Sequence, residues 1–217
     1  MGGSDSRISI DCHALSKLMR RNVLHFAFAY LKHWLLKEDR YSQQSPFIFS
    51  VYQGALDCLT KETPSSKAEK VALLVTYFCQ LTAANQVLEL GKGNETSAKY
   101  FNQIPNKKVY RIPTTESIIQ GIEAIPLANL ELQTLDFALI HSQFNQSDLQ
   151  GFFSHVLPRI HPQGILFLED IHQNKVMNIG WKKIQADTRI RLTLDFFDFG
   201  VAFLSYSGPK TNLILSY

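Results

Sequence analysis

The sequence predicts an α/β protein, with a mostly parallel sheet that is closed by an antiparallel C-terminal hairpin and preceded by a helical N-terminal extension. Three observations support this fold class. Short apolar runs alternate with helix-length amphipathic segments through the middle of the chain, as in successive βαβ units. A turn containing glycines follows the first of these runs. Near the C-terminus, strand-like segments follow one another with no helix between them, which is typical of antiparallel strands.

The first part of the chain has a helical pattern. Apolar residues recur at three- and four-residue steps over residues 12–37, and a proline-containing turn leads into a second short helix at Phe47–Cys58. Thr63–Ser66 is the clearest boundary, because a proline and two serines suit a linker that ends in a helix cap. We therefore divide the chain into a helical N-terminal extension, residues 1–62, and an α/β domain, residues 63–217.

The elements of the α/β domain follow from its apolar periodicity. The predicted strands are Gln86–Leu90, Lys108–Ile112, Leu135–Ile140 and Gly164–Leu168. The predicted helices are Lys67–Leu81, Thr96–Ile104, Glu116–Ile125, Ser147–Ile160 and Lys175–Ala186. Because helices alternate with these strands, the strands should be parallel. Between Ile125 and Leu135 there is room only for an abbreviated strand at Leu130–Gln133, so we expect one helix of the usual set to be missing.

The C-terminal segment breaks this alternation. It contains two predicted strands, Ile190–Phe197 and Val201–Tyr206, around a turn at Asp198–Gly200, and a last strand at Asn212–Tyr217. A Gly-Pro pair separates the last two strands and suits a turn. A parallel sheet that ends in this way is a variation on the doubly wound α/β fold.

Composition and charge argue against several classes of function. The net charge of +3 is too small to imply nucleic acid as a partner. The three cysteines lie far apart and form no CxxC pair, which indicates reduced thiols and not a zinc site. The apolar stretch Val23–Leu36 is interrupted by polar residues and is shorter than the roughly 20 residues that cross a bilayer. We therefore expect a cytoplasmic protein that binds neither nucleic acid nor a membrane.

The most informative stretch is Val87–Thr96, with the sequence VLELGKGNET. A strand runs into a turn with Gly91 and Gly93, and the turn opens a helix whose N-terminus offers free N–H groups to a ligand. Glu89, just before the glycines, suits the ammonium group of a methionine moiety better than a pyrophosphate. The motif alone is weak, and a tight strand-to-helix turn without a ligand is the alternative.

Two features depart from a typical nucleotide site of this type. The third small position of the Gly-x-Gly-x-Gly pattern holds Glu95, which adds bulk and negative charge beside the helix start. A carboxylate that binds the ribose hydroxyls is expected about 20 residues on, at the end of the second strand. Pro113, Thr114 and Thr115 stand there instead, and Glu116 comes late. The hydroxyls of Thr114 and Thr115 are candidates to bind the ribose, less strongly than a carboxylate would.

Three further motifs carry a family resemblance. Glu169–His172, followed by a methionine and a tryptophan, is similar to a DDIHWS…M…AW signature. Thr193–Phe203 is similar to the closing hairpin of the same proteins, and Gln44–Phe49 is similar to their HSPFVF element. All three are typical of a group of class I S-adenosylmethionine-dependent methyltransferase-like proteins common in Bacteroidetes. The resemblance covers residues 30–217 with the motifs in the right order, and this order is more specific than any single motif.

The resemblance implies a Rossmann-like fold, S-adenosylmethionine as the cofactor and transfer of a methyl group to a small-molecule substrate. By position, Glu89, Gly91 and Gly93 would line the methionine end of the cofactor. The fourth strand of such proteins often ends in an IDGNH-like run, whereas Ile140–Phe144 has the sequence IHSQF and lacks the aspartate and the glycine. In the later motif, Glu169 replaces the first aspartate.

Three candidate catalytic residues, His141, Asp170 and His172, fall just beyond the predicted ends of adjacent strands, where open α/β sheets bind ligands. A methyl-accepting hydroxyl needs a base or a metal ion to become nucleophilic. We therefore expect His141 or His172 as the base, with Asp170 orienting it or binding a divalent ion. The alternative is that these side chains are structural or solvated. The acidic ligands that Mg²⁺ prefers are few, so no metal site is predicted.

Two functions of different classes remain open. One is an active methyltransferase acting on a small molecule, favoured by the retained Glu89, both glycines and the Glu169–His172 run. The other is a catalytically inactive protein that keeps the fold as a binding or assembly module, favoured by Glu95 and by the missing ribose acid. A nucleic-acid methyltransferase ranks last, since the chain lacks a basic stripe. The N-terminal helices could cover the cofactor cleft, shape the acceptor pocket or form a homodimer interface.

Overall fold

The computed structural model describes residues 26–37, 45–91, 108–112, 134–141 and 145–215. Its helices are α1 (residues 26–36), α2 (Pro46–Glu62), α3 (Lys67–Leu81), α4 (Gln146–Gly151) and α5 (Lys175–Ala186). Its strands are β1 (Gln86–Leu90), β2 (Lys108–Ile112), β3 (Leu135–Ile140), β4 (Ile160–Glu169), β5 (Leu192–Asp195), β6 (Phe199–Phe203) and β7 (Thr211–Ile214). In the described part of the chain, no helix combines the length and the hydropathy needed to cross a membrane.

The strands form one sheet in the order β2-β1-β3-β4-β6-β5-β7. Strands β2, β1, β3 and β4 are mutually parallel. Strand β6 is antiparallel to both β4 and β5, and β7 is parallel to β5. The structure thereby confirms the predicted fold class, a Rossmann-like, mostly parallel sheet closed by an antiparallel hairpin.

Both faces of the sheet are covered by apolar cores. One core joins α2 and α3 to strand residues such as Phe137 and Phe167. The other joins α5 and the segment after α4 to the neighbouring strand residues Ala138 and Leu166. Consecutive residues of a strand point to opposite faces, so the central strands are buried on both sides. This two-sided burial explains why they are continuous apolar runs in the sequence.

Side-chain caps begin the helices on both faces. At the predicted boundary before α3, the Ser66 hydroxyl accepts a hydrogen bond from the Glu69 N–H at 3.2 Å. The Glu69 carboxylate in turn accepts from the N–H and the hydroxyl of Ser65, both at 2.8 Å. On the other face, Asn174 accepts from the Met177 N–H at 2.9 Å and begins α5. These bonds satisfy N–H groups that the first turn of a helix leaves unpaired.

Most other predicted elements in the described residues are confirmed. Helices α3 and α5 and strands β1, β2 and β3 have the predicted bounds, and α2 extends beyond the predicted helix at both ends. The helices predicted at Thr96–Ile104 and Glu116–Ile125 lie outside the described residues, as does the abbreviated strand at Leu130–Gln133. The division of the chain at residues 62 and 63 stays a prediction.

The helix predicted over Ser147–Ile160 is wrong in its second half. Helix α4 ends at Gly151, and the chain continues as a π-helical turn, Phe152–Val156, and a 3₁₀ turn, Leu157–Arg159. Pro158 accounts for the break, because proline has no N–H to donate to a continuing α-helix and its ring crowds the preceding turn. The apolar periodicity persists through the irregular turns, so the sequence pattern does not reveal them.

The boundaries of β4 and of the C-terminal strands also differ from the prediction, since β5, β6 and β7 cover Leu192–Asp195, Phe199–Phe203 and Thr211–Ile214 in place of Ile190–Phe197, Val201–Tyr206 and Asn212–Tyr217. Strand β4 is longer than Gly164–Leu168, because Ile160 already pairs with β3. The turn predicted at Asp198–Gly200 lies earlier in the chain, because Phe199 and Gly200 are already the first residues of β6. Gly200 is needed for packing and not for turning: a Cβ there would lie 2.6 Å from the ring of Trp181.

Candidate functional site

The carboxyl ends of β1 and β3 form the switch point of the sheet. From β1 the chain continues to β2 on one side, whereas β3 lies on the other side. Open α/β sheets bind ligands in the crevice outside such a point. The chain leaves β1 through Gly91, which has φ = +94°. A Cβ at Gly91 would lie 3.2 Å from the Cβ of His141, and φ lies in the left-handed region, so this turn requires glycine.

A buried network of charges connects the strand ends beside this turn. The His141 ring contacts a carboxylate through each nitrogen: Nε2 lies 2.9 Å from Glu89 Oε1, and Nδ1 lies 3.0 Å from Glu169 Oε2. The Nε of Arg111 donates to the other oxygen of Glu89 at 2.6 Å. Glu89 is 1% exposed and His141 is 2% exposed. The network therefore ties together the carboxyl ends of β1, β2, β3 and β4.

The network fixes the protonation state of His141. Burial by itself lowers the pKa of the imidazole, but the hydrogen bonds and negative charges of Glu169 and Glu89 outweigh burial and raise the pKa to about 9. His141 is therefore an imidazolium at neutral pH and donates to both carboxylates. In this arrangement it has no free lone pair with which to accept a proton from a substrate. The role of base expected for His141 stays a prediction that this geometry does not favour.

Glu89 and Gly91 test whether the described residues fit S-adenosylmethionine. The glycine fits through its backbone, which turns sharply at the switch point with φ = +94°, and a Cβ there would meet the side chain of His141. Glu89 fits less directly, since its oxygens already accept from His141 and Arg111 and its carboxylate is buried. A carboxylate can accept roughly four hydrogen bonds, and the bonds to His141 and Arg111 do not use all of them. Because the group is buried, however, a ligand has little access to its oxygens. The remaining predicted cofactor-binding residues, Gly93, Thr114 and Thr115, lie outside the described residues.

Asp170 follows β4 and is held by a lysine. Its backbone is left-handed, with φ = 52°, and its N–H donates to the Asp198 carbonyl at 2.6 Å. Its carboxylate contacts the ammonium group of Lys67, which also lies 3.0 Å from the Asp198 carboxylate. Partial burial lowers the pKa of Lys67, but the two aspartates outweigh burial and raise it. The lysine stays charged, and Asp170 therefore anchors the end of β4 to the start of α3.

His172 belongs to another cluster, built around Asp195. The His172 Nε2 lies 2.8 Å from Asp195 Oδ2, and the Asn178 amide nitrogen lies 2.9 Å from Nδ1. With that amide donating to Nδ1, the proton of His172 is on Nε2 and is donated to Asp195. Asp195 also accepts from the Trp181 indole at 3.0 Å and from the Phe197 N–H at 2.9 Å. The aspartate expected to orient His172 was Asp170, whereas Asp195 makes the contact.

His33 brings α1 to the same cluster. Its Nε2 lies 3.3 Å from the Asp195 carbonyl oxygen. Burial is the main influence on this imidazole and lowers its pKa, so His33 is neutral at neutral pH. The ring of Phe197 packs against both histidines, with centroid distances of 5.3 Å to His33 and to His172, and the two imidazole rings lie 6.5 Å from each other. This contact fixes α1 over the turn between β5 and β6.

The three candidate catalytic residues therefore lie in three separate contact sets along one edge of the sheet. His141 contacts Glu89 and Glu169, Asp170 contacts Lys67, and His172 contacts Asp195 and Asn178. Among the described residues, no group of three histidine, cysteine, aspartate or glutamate side chains is arranged to hold a metal ion.

Sequence reasoning missed the partners of the candidate residues. Arg111 lies opposite Glu89 because β1 and β2 pair in parallel with these two residues in register. Asp195 ends an apolar strand, and a buried acid at a strand end is a signal that could have been found. Lys67 is the first residue of α3 and carries no local signal of its role.

No family model and no curated protein matches this chain. Solved structures similar to it include a protein from Staphylococcus aureus provisionally described as a caffeoyl-CoA O-methyltransferase, at 15% identity and a TM-score of 0.48, over 71% of this chain and 91% of that one. A second is the methyltransferase PaMTH1 from Podospora anserina with bound SAH, at 10% identity and a TM-score of 0.46, over 95% of this chain and 100% of that one. A third is the O-methyltransferase TomG from Streptomyces achromogenes in complex with SAM, at 13% identity and a TM-score of 0.45, over 87% of this chain and 98% of that one.

Proposed function

We propose that this protein is an S-adenosylmethionine-dependent methyltransferase that acts on a small-molecule acceptor. The observation that carries the proposal is the left-handed Gly91 at the switch point of a class I methyltransferase sheet. The glycine lets the chain turn sharply away from β1 at the point where ligands of such sheets bind. The homodimer and the cytoplasmic location expected from the sequence stay predictions.

The residues at the strand ends have distinct proposed roles. The cofactor, when bound, supplies an electrophilic methyl group. Gly91 lets the backbone approach the cofactor closely, and His141 positions Glu89 and Glu169 beside it through their shared charges. Of the three candidate catalytic residues, we assign the acceptor proton to His172. Its Nδ1 lone pair meets only an amide donor, whereas both nitrogens of His141 face carboxylates.

The test of this proposal is calorimetric titration with S-adenosylmethionine and S-adenosylhomocysteine. Saturable binding is expected for the unmodified protein. Gly91→Ala should weaken it by roughly tenfold or more, because a left-handed alanine is strained by about 1–2 kcal/mol and its Cβ would push against His141 and shift the turn after β1.

Gly208→Ala is the matched control for that titration. Gly208 precedes β7 at the opposite edge of the sheet, and the atoms nearest to a Cβ there belong to Tyr206, so any local shift falls away from the turn after β1. The control should bind like the unmodified protein. Absence of binding heat from the folded, unmodified protein at millimolar ligand would contradict the proposal.

One observation favours the alternative, a catalytically inactive binding or assembly module. The Glu89 carboxylate is turned inward to His141 and Arg111, so the acid of the glycine motif serves the internal network. Under this alternative the unmodified protein binds neither cofactor form, and the same titration decides between the two functions.

A further inference from the structure

A cavity of about 320 Å³ lies between α1 and α5, next to the carboxyl ends of β5 and β7. We propose that it is the acceptor pocket and that it takes a small organic anion with an apolar body. The catalytic part of this inference rests on the proposed function, whereas the recognition of the anion does not. The volume lies at the lower end of the range for small-molecule sites, roughly 300–1,000 Å³.

Apolar side chains form the walls of the pocket. Phe28 of α1 and Ile214 of β7 line it, and Trp181 of α5 lines it from the core side. The methylene chains of Lys32 and Lys182 add apolar surface below their charged groups. These walls suit a flat or ring-containing body better than a sugar or another strongly hydrated molecule.

The charges around the pocket favour an anion. Lys32 and Lys182 line it from opposite helices, and neither is paired with a carboxylate of the described residues. The one acidic lining residue, Asp195, already accepts from His172, Trp181 and the Phe197 N–H. Its charge is therefore met by internal donors, and two ammonium groups are left for a ligand.

His172 places the reactive end of the acceptor. It lines the pocket just beyond β4, which only β3 separates from β1, and its Nε2 faces Asp195 of β5 on the other side. An acceptor hydroxyl that replaces the Asn178 amide would donate to Nδ1 of His172. As the new carbon–oxygen bond forms and the carbon–sulfur bond of the methyl donor breaks, the hydroxyl proton moves to Nδ1. Asp195 then stabilises the resulting imidazolium through Nε2.

Tryptophan fluorescence tests the recognition of the anion without any methyl transfer. The chain has two tryptophans, and the exposed Trp34 does not line this pocket. In a Trp34→Phe background the emission reports on Trp181 alone. Phenylpropionate should change it saturably with a Kd of roughly a millimolar, as expected for a ligand of this size. Phenylpropionamide, its neutral analogue, should bind about tenfold more weakly because it lacks the charge.

Charge variants locate the site. Lys32→Glu combined with Lys182→Glu should weaken phenylpropionate binding by about tenfold or more. Lys175→Glu, on the same helix but outside the pocket, should leave binding within about twofold. Equal affinity for the acid and the amide would overturn the proposal, as would an equal loss in the Lys175 variant or no saturable signal. Binding of the anion by a protein that fails to bind S-adenosylmethionine would retain the anion site and reject only its catalytic use.

Discussion

At the scale of single residues, the charge of His141 should make the stability of this protein depend on pH. The pKa of His141 is raised from 6.5 to about 9 in the folded protein by Glu169 and Glu89, against the effect of burial. Below pH 6.5 the ion pairs of His141 contribute their full stabilisation of the folded protein, because the folded and unfolded chains both hold the proton. As the pH rises from 6.5 to about 9, the unfolded chain loses the proton first and up to about 3 kcal/mol of stability is lost.

This loss is measured as the free energy of unfolding in denaturant over that pH interval. The unmodified protein should become less stable as the pH rises. His141→Gln should be less stable at pH 6.5 and should show a much flatter pH dependence, because the amide keeps hydrogen bonds to the carboxylates but cannot titrate. A slope that persists unchanged in His141→Gln would show that another group titrates and that His141 is not held as a cation.

Sequence reasoning found the residues of the sheet edge but not their pairing. Glu89 is recognisable because it is an acid near the end of an apolar strand, and His141 because it directly follows one. Their contact depends on the parallel register that places the end of β3 beside the end of β1. Register arises from the packing of both sheet faces, so it is a property of the whole sheet and not of either segment. For the same reason Asp195 and not Asp170 orients His172.

At the scale of elements, α5 should depend on its cap. The Asn174 side chain accepts from the Met177 N–H, which the first turn would otherwise leave unpaired. Asn174→Ala should lower the free energy of unfolding by about 1 kcal/mol, measured by urea denaturation. Gln173→Ala is the control, because the hydrogen bond of Gln173 to Asp170 runs through its backbone N–H. Equal losses in the two variants would show that the side-chain cap contributes nothing specific.

Apolar periodicity in the sequence is sufficient to predict some of these elements but not others. Helix α3 was predicted to the residue, because its apolar spacing is bounded by the serine cap at one end and by a polar turn at the other. The segment after α4 keeps apolar residues at helical spacing, so its irregular turns are invisible to periodicity. Only Pro158 marks them, and a proline predicts a break without predicting a π-helical turn before it.

At the scale of the whole molecule, α2 and the sheet share one core. Buried side chains of α2, among them Ile48 and Tyr52, belong to the same apolar cluster as Phe137 of β3 and Phe167 of β4. Since these contacts join α2 to the centre of the sheet, we expect α2 to unfold together with the sheet. The helical pattern of the sequence predicted the helix but could not show which face of the sheet it covers.

Replacing Ile48, which is 3% exposed, tests this expectation. Ile48→Ala should cost about 2–5 kcal/mol, because it removes buried methyl groups from a packed core. In the Trp34→Phe background, unfolding followed by far-ultraviolet circular dichroism and by tryptophan fluorescence should remain coincident. Trp181 then supplies the whole fluorescence signal, and it lies in the opposite core of the same cooperative unit. Phe49→Ala, at a neighbouring position that is 40% exposed, should cost clearly less. A small loss for Ile48→Ala, or an early transition seen by only one probe, would mean that α2 unfolds separately and that the core of the sheet is complete without it.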